Sequence, residues 1–196
     1  RLAQEGEIER LSPGVYYEPK QTRFGVVGPS MEERFRDLLY DGDTPIGYLT
    51  GLYAFNLFGL TTQHSSILEI GTNFPKRNTK RGIYAIRFVL QKNQICQDNI
   101  DMLRLLDCLK WIKKIPDTTV DKSYSLLKKK VREYEKEDHK QLVELSLNYT
   151  PLTRALLGSM LTDELLVATL HQTLNPLTRF RIGIPPTLVT SQWNIQ

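Results

Sequence analysis

Residues that carry chemistry are scarce in this sequence. Its 196 residues include two cysteines, Cys96 and Cys108, and three histidines. The cysteines form no C-x-x-C pair, so they offer no zinc framework, and their low number fits a reducing cytoplasm. Each is expected in or beside a helix as a small apolar residue. His64, His139 and His171 are scattered along the chain, and none belongs to an H-E-x-x-H or similar metal spacing. Gly-rich phosphate loops of the G-x-x-x-x-G-K or G-x-G-x-x-G kind do not occur. Long apolar runs are missing too. The uncharged stretch Pro45–Gln63 carries Gly, Asn and Thr, and its apolar core falls short of the roughly 20 residues that span a bilayer. The N-terminus shows no charged and then apolar signal region. Together these absences predict a cytoplasmic protein without transmembrane helix, metal or cofactor, and not an enzyme.

What is present is an ordinary globular composition, 40% hydrophobic and 24% charged. That is enough for one large domain or a small module plus a medium one. The formal net charge is +4 and the pI is near 9.0, a mild tilt toward acidic partners.

Along the chain, Arg1–Gly6 reads as the last turn of a helix, with Gly6 at the left-handed position that ends many helices. Ile8–Leu11 and Val15–Tyr17 are β-prone and flank Ser12-Pro13-Gly14, which predicts a hairpin. Glu18–Gly28 reads as a linker. Ser30 with Glu33 forms a capping box, and Met31, Phe35, Leu38 and Leu39 predict a helix to about Tyr40. Tyr48–Leu60 is apolar almost all round and predicts a second, buried helix stopped near Gly59. Ser66–Ile70 and Gly82–Leu90 are β-like and predict a hairpin or neighbouring strands around the basic loop Asn73–Arg81. From Asp98 the pattern turns helical, with helices expected over Ile100–Trp111, Ser125–Tyr134, Lys140–Leu147, Leu152–Leu161 and Asp163–Leu174. Arg179–Gln196 reads as an extended tail.

The fold class expected is therefore α+β, with a small sheet and a mostly helical C-terminal half. Two parts are expected, the first over residues 1–20 and the second over residues 21–196. Lys76, Arg77, Lys80, Arg81, Arg87 and Lys92 fall within Asn73–Lys92 with no acid among them. Such a stretch reads as a basic surface for a DNA backbone, RNA or an acidic partner, or else as a solvated loop. Lys128-Lys129-Lys130-Val131-Arg132 is answered by Glu133, Glu135, Glu137 and Asp138 and reads as a solvated helix face. Gly158-Ser159 reads as helical. Asp98, Asp101 and Asp107 share a helix pattern without a histidine partner, so an enzyme built on them ranks last.

Four stretches carry a family resemblance. Gly6, Ile8, Arg10, Leu11, Gly14, Val15, Tyr16 and Tyr17 form the first. The second comprises Thr50, Gly51, Ala54, Leu57, Gly59, Leu60, Thr61, Thr62 and Gln63. The third comprises Asp107, Leu109, Ile112, Lys113, Ile115, Pro116 and Asp117, and the fourth runs from Arg154 to Gly158. In this order they resemble the AbiEi-type antitoxins of bacterial type IV toxin–antitoxin systems. The resemblance implies that Glu7–Tyr17 is the wing of a winged helix whose first helices, with most of the recognition helix, lie before Arg1. It implies a transcriptional regulator that binds operator DNA, represses its own operon and opposes a nucleotidyltransferase-like toxin without a stable complex. Residues 21–196 would carry the antitoxic role. Within the wing, Arg1, Arg10 and Lys20 would touch phosphates and Tyr16 would pack on sugar, contacts that position a protein without reading sequence. The other reading is a non-catalytic interaction or scaffold protein with a degenerate winged helix.

Overall fold

The computed structural model describes residues 9–12, 15–17, 20–22, 25–185, 188 and 191–195, with side chains from residue 28 onward apart from Ser191. The expected helix end at Arg1–Gly6 and the Pro13-Gly14 turn lie outside the described residues. The protein is α+β.

Strands β1 (Glu9–Ser12) and β2 (Val15–Tyr17) pair antiparallel, with Arg10 opposite Tyr16 and an irregularity before Ser12. The stretch expected as a linker is instead a second antiparallel pair, β3 (Lys20–Thr22) and β4 (Gly25–Val27). The β-branched Val26-Val27 favours a strand, and this outweighs the nearby glycines and proline.

Ser30 and Glu33 form the expected capping box: the Glu33 amide donates to Ser30 Oγ at 3.1 Å, and the Ser30 amide to Glu33 Oε2 at 2.8 Å. The helix that follows is broken into α1 (Met31–Arg34) and α2 (Arg36–Leu39) at Phe35, whose ψ of 20° leaves the helical region. A short hairpin follows, β5 (Tyr40–Asp41) with β6 (Thr44–Pro45).

Tyr48–Leu60 is not one helix. Its start is strand β7 (Gly47–Thr50), and only α3 (Leu52–Leu57) is helical. All four residues of β7 are buried. An all-apolar run fits a strand covered on both faces as well as a buried helix, and periodicity alone does not separate them. Gly51 decides the outcome: its φ of 62° and ψ of −130° form a turn that only glycine adopts without strain.

Strand β7 edges a four-stranded sheet of order β7-β8-β10-β9, with β8 at Ile67–Thr72, β9 at Thr79–Arg81 and β10 at Tyr84–Leu90. β7 runs antiparallel to β8, while β8 and β10 run parallel. The hairpin partner of β10 is β9, which lies inside the basic loop.

Five helices follow: α4 (Ile100–Lys110), α5 (Val120–Arg132), α6 (Lys136–Ser146), α7 (Pro151–Gly158) and α8 (Glu164–Gln172). Each overlaps a helix that periodicity predicts. Among the described residues no helix is long and apolar enough to cross a membrane. Among the described residues the tail makes a parallel bridge, Phe180 to Ile195, and carries Trp193 into the helical core. Gly158 makes room for it, since a Cβ there would lie 2.1 Å from the indole. Cys108 is buried in α4, whereas Cys96 is exposed just before a short 3-10 turn.

One face of the sheet packs on α1 and α2 through Phe35, Leu39, Leu49, Leu68, Ile70 and Ile86. The other face, presenting Tyr48, Thr50, Glu69, Gly71, Arg87 and Val89 by strand alternation, turns toward α4.

Candidate functional site

Asp107 projects from α4 onto the sheet face turned toward that helix. Its carboxylate is buried and accepts three hydroxyl hydrogen bonds. Thr50 Oγ1 donates to Oδ2 at 2.6 Å, Tyr48 OH to the same oxygen at 2.8 Å, and Tyr149 OH to Oδ1 at 3.0 Å. Gln91 Nε2 donates to both phenols, at 2.8 and 2.9 Å. The Gln91 carbonyl in turn accepts from the Asn93 amide. Every polar group of this ring is partnered, as a buried network requires.

Backbone geometry explains why the ring forms. Tyr48 reaches across β8 over Gly71, where a Cβ would lie 2.5 Å from the Tyr48 ring. Thr50 follows two residues later on the same face, and α4 presents Asp107 to both. Burial pushes the Asp107 carboxyl above its ordinary range, and the hydroxyls of Thr50, Tyr48 and Tyr149 oppose that push. The Tyr48 and Tyr149 phenols are driven far up, first by burial and then by the neighbouring carboxylate.

The ring borders the first of two pockets whose linings follow one another along β8, β10 and the end of α4, together termed the cleft. The first, about 260 Å³, is lined by Gly71, Val89, Lys92, Asp107, Lys110 and Tyr149, among others. The second, about 460 Å³, is lined by His64, Glu69, Arg87, Trp111 and Lys114. Its floor continues along β8 and β10, and its wall continues from α4 into the following turn. Over the Trp111 ring stand the ammonium groups of Lys114 at 4.2 Å and Lys110 at 5.1 Å. Two of the resemblance stretches meet at this cleft, through the Thr50–Asp107 bond and through Gln63 Nε2 donating to Asp117 Oδ2 at 2.6 Å.

Strand alternation divides the cations singled out between Asn73 and Lys92. Arg81 turns to the α1–α2 face, where it forms a two-pronged pair with Asp37 at 2.6 Å and lies over Phe35. Lys76 stands on that side too, over Phe88. Lys80 pairs across from Ala85, which sits on the opposite face with Arg87. Lys92 opens onto the first pocket. Arg77 is exposed in the loop. Arg10, Tyr16 and Lys20 lie on β1, β2 and β3, with side chains outside the described residues, as is all of Arg1.

The three acids of the α4 pattern are apart in role. Asp98 is exposed, Asp101 pairs with Arg104, and Asp107 closes the ring. Arg104 also holds Glu32 and donates to the Leu49 carbonyl. His139 bonds the Val131 carbonyl and His171 the Gln192 carbonyl, which leaves His64 alone of the three at the cleft. Ser159 caps the end of α7 and bonds the Leu156 carbonyl, so Gly158-Ser159 belongs to a helix terminus.

Sequence reasoning did not single out Lys110, Trp111 or Lys114 as site residues. The signal was the run Lys110-Trp111-Ile112-Lys113-Lys114, an aromatic flanked by cations. Gln91 left no signal, because a lone glutamine after a strand is unremarkable.

The model of a family of unknown function, DUF6088, matches residues 1–139. No curated protein and no solved structure matches the chain.

Proposed function

The chain belongs to the DUF6088 family, and from that premise we propose that it is a non-enzymatic, antitoxin-like transcriptional regulator that binds operator DNA. The observation that supports this reading is the antiparallel pairing of β1 with β2, with Arg10 opposite Tyr16. That is the ladder a wing needs to lay a cation and an aromatic against a DNA backbone. In this reading the wing binds operator DNA, the protein represses its own operon, and residues 21–196 oppose a nucleotidyltransferase-like toxin without a stable complex. Contact between the second and third of the four resemblance stretches, at Thr50–Asp107 and Gln63–Asp117, also supports this reading.

The test is titration of the protein with its own promoter duplex at low and moderate salt. Binding that weakens steeply with salt is expected, because each neutralised phosphate releases counterions. No binding at low salt overturns the regulator reading. Co-expression with the product of any neighbouring nucleotidyltransferase-fold gene tests the antitoxic part: growth is expected to be restored, and continued toxicity overturns it.

A further inference from the structure

The cleft repeats one chemical unit. In each pocket a cation stands beside an aromatic ring: Lys110 at 5.9 Å from the Tyr149 ring in the first, Lys114 at 4.2 Å from the Trp111 ring in the second. Lys110, from the first lining, also approaches the Trp111 ring of the second. Arg87 and Lys92 add a cation to the floor of each pocket. Among the described residues, none of these four cations forms an ion pair with a carboxylate, unlike Arg81, Arg104, Lys130 and Lys140. Two acids line the pockets. Asp107 is closed within its ring of hydroxyls, while Glu69 lines the second pocket opposite Arg87 on the neighbouring strand, with its carboxylate beneath Gly51.

We propose that this cleft binds single-stranded nucleic acid, two successive nucleotides occupying its two pockets. The phosphates lie against Lys92, Lys110, Lys114 and Arg87. The bases stack on the Tyr149 and Trp111 rings, which are only partly buried against the core, in place of the lysine ammonium groups that stand over them. A cationic groove interleaved with aromatic rings is how sequence-tolerant single-strand binding is built. A duplex keeps its base faces stacked inside and has none to offer such rings. The proposal does not depend on the wing, so it stands or falls separately from operator binding.

The experiment uses the whole chain and a short fluorescein-labelled oligouridylate, followed by anisotropy over a range of salt. The variant pair Lys110→Ala with Lys114→Ala is expected to weaken binding roughly tenfold and to reduce the salt slope by about 1.4, since each phosphate contact on a single strand contributes about 0.7. Lys129→Ala with Lys136→Ala removes the same charge from exposed helix surface outside the cleft and is expected to change neither. Arg87→Gln serves as an independent cleft variant. Quenching of tryptophan emission by the oligonucleotide is expected to vanish in Trp111→Phe, because Trp193 is buried in the core. Absence of binding, or equal weakening by the cleft and control pairs, overturns the proposal. So does equal competition by uridine monophosphate or by an acidic peptide, which would assign the cleft to a single nucleotide or to carboxylates. Loss of promoter-duplex binding with oligouridylate binding intact would overturn the wing reading and leave the cleft standing.

Discussion

The two faces of the four-stranded sheet are both covered by helices, but they are sealed differently. The face toward α1 and α2 is closed by aliphatic and aromatic side chains, with Phe35 meeting Tyr84 edge-on at 5.5 Å. Its ion pair, Arg81 with Asp37, lies at a partly exposed rim. The face toward α4 has a polar ring at its centre and open pockets beside it. A single strand serves both: in β7, Leu49 enters the apolar side while Tyr48 and Thr50 bond Asp107. The difference teaches where specificity resides. Apolar packing on the first face tolerates exchange of similar shapes. On the second face each donor has an acceptor, so removing one group leaves others stranded.

Asp107→Ala breaks the comparison most. It leaves the hydroxyls of Tyr48, Thr50 and Tyr149 without their acceptor, and a loss of about 3 kcal/mol in denaturant unfolding is expected. Asp107→Asn keeps one acceptor oxygen and is expected to cost less.

Gly71→Ala comes next. It pushes the Tyr48 ring off its path across β8, at a cost of about 2 kcal/mol, the scale of overpacking in a tight interior. An equal effect from Gly28→Ala, where a Cβ meets nothing within 4 Å and the backbone is not left-handed, would show that the loss does not come from the ring.

The pH dependence of stability should also come from the α4 face. Burial raises the Asp107 carboxyl in the folded chain. Its contribution to stability is therefore full below the unfolded value of about 3.9 and is lost as pH rises through the folded value. Unfolding midpoints of the unaltered chain are expected to fall over that window relative to those of Asp107→Asn. Parallel curves for the two proteins would contradict this.

Arg81→Ala gives the smallest effect, within about 1 kcal/mol, because the pair it breaks is partly solvated. A loss as large as that of Asp107→Ala would erase the contrast between the two faces.

Much of the helical half was legible in the sequence because helices announce both their period and their ends. Asp163 accepts from the amides of Leu165 and Leu166, and Thr150 caps α7 with Pro151 at the first position. The sheet was less legible. In β7 the alternation is invisible, since both faces are buried and Tyr48 and Thr50 are held by partners more than fifty residues away. The β8–β10 pairing is parallel, so no turn marks it, and the hairpin that the turn at Gly82 does make is β9 with β10. For the site, the motif residues Thr50, Gln63, Asp107 and Asp117 were visible as a pattern but not as contacts. Their meeting depends on how α4 lies on the sheet, which no local period encodes.

The ring around Asp107 also has a consequence in time. Its three donors lie 57, 59 and 42 residues away along the chain. Helix α4 can coil from neighbouring contacts, but the ring closes only after two long loops have been drawn together, an entropically slow step. Because that closure is the slow step, weakening these contacts is expected to delay folding as well as to hasten unfolding. The rate at which the molecule forms is thereby tied, along with its lifetime, to a few hydroxyl groups.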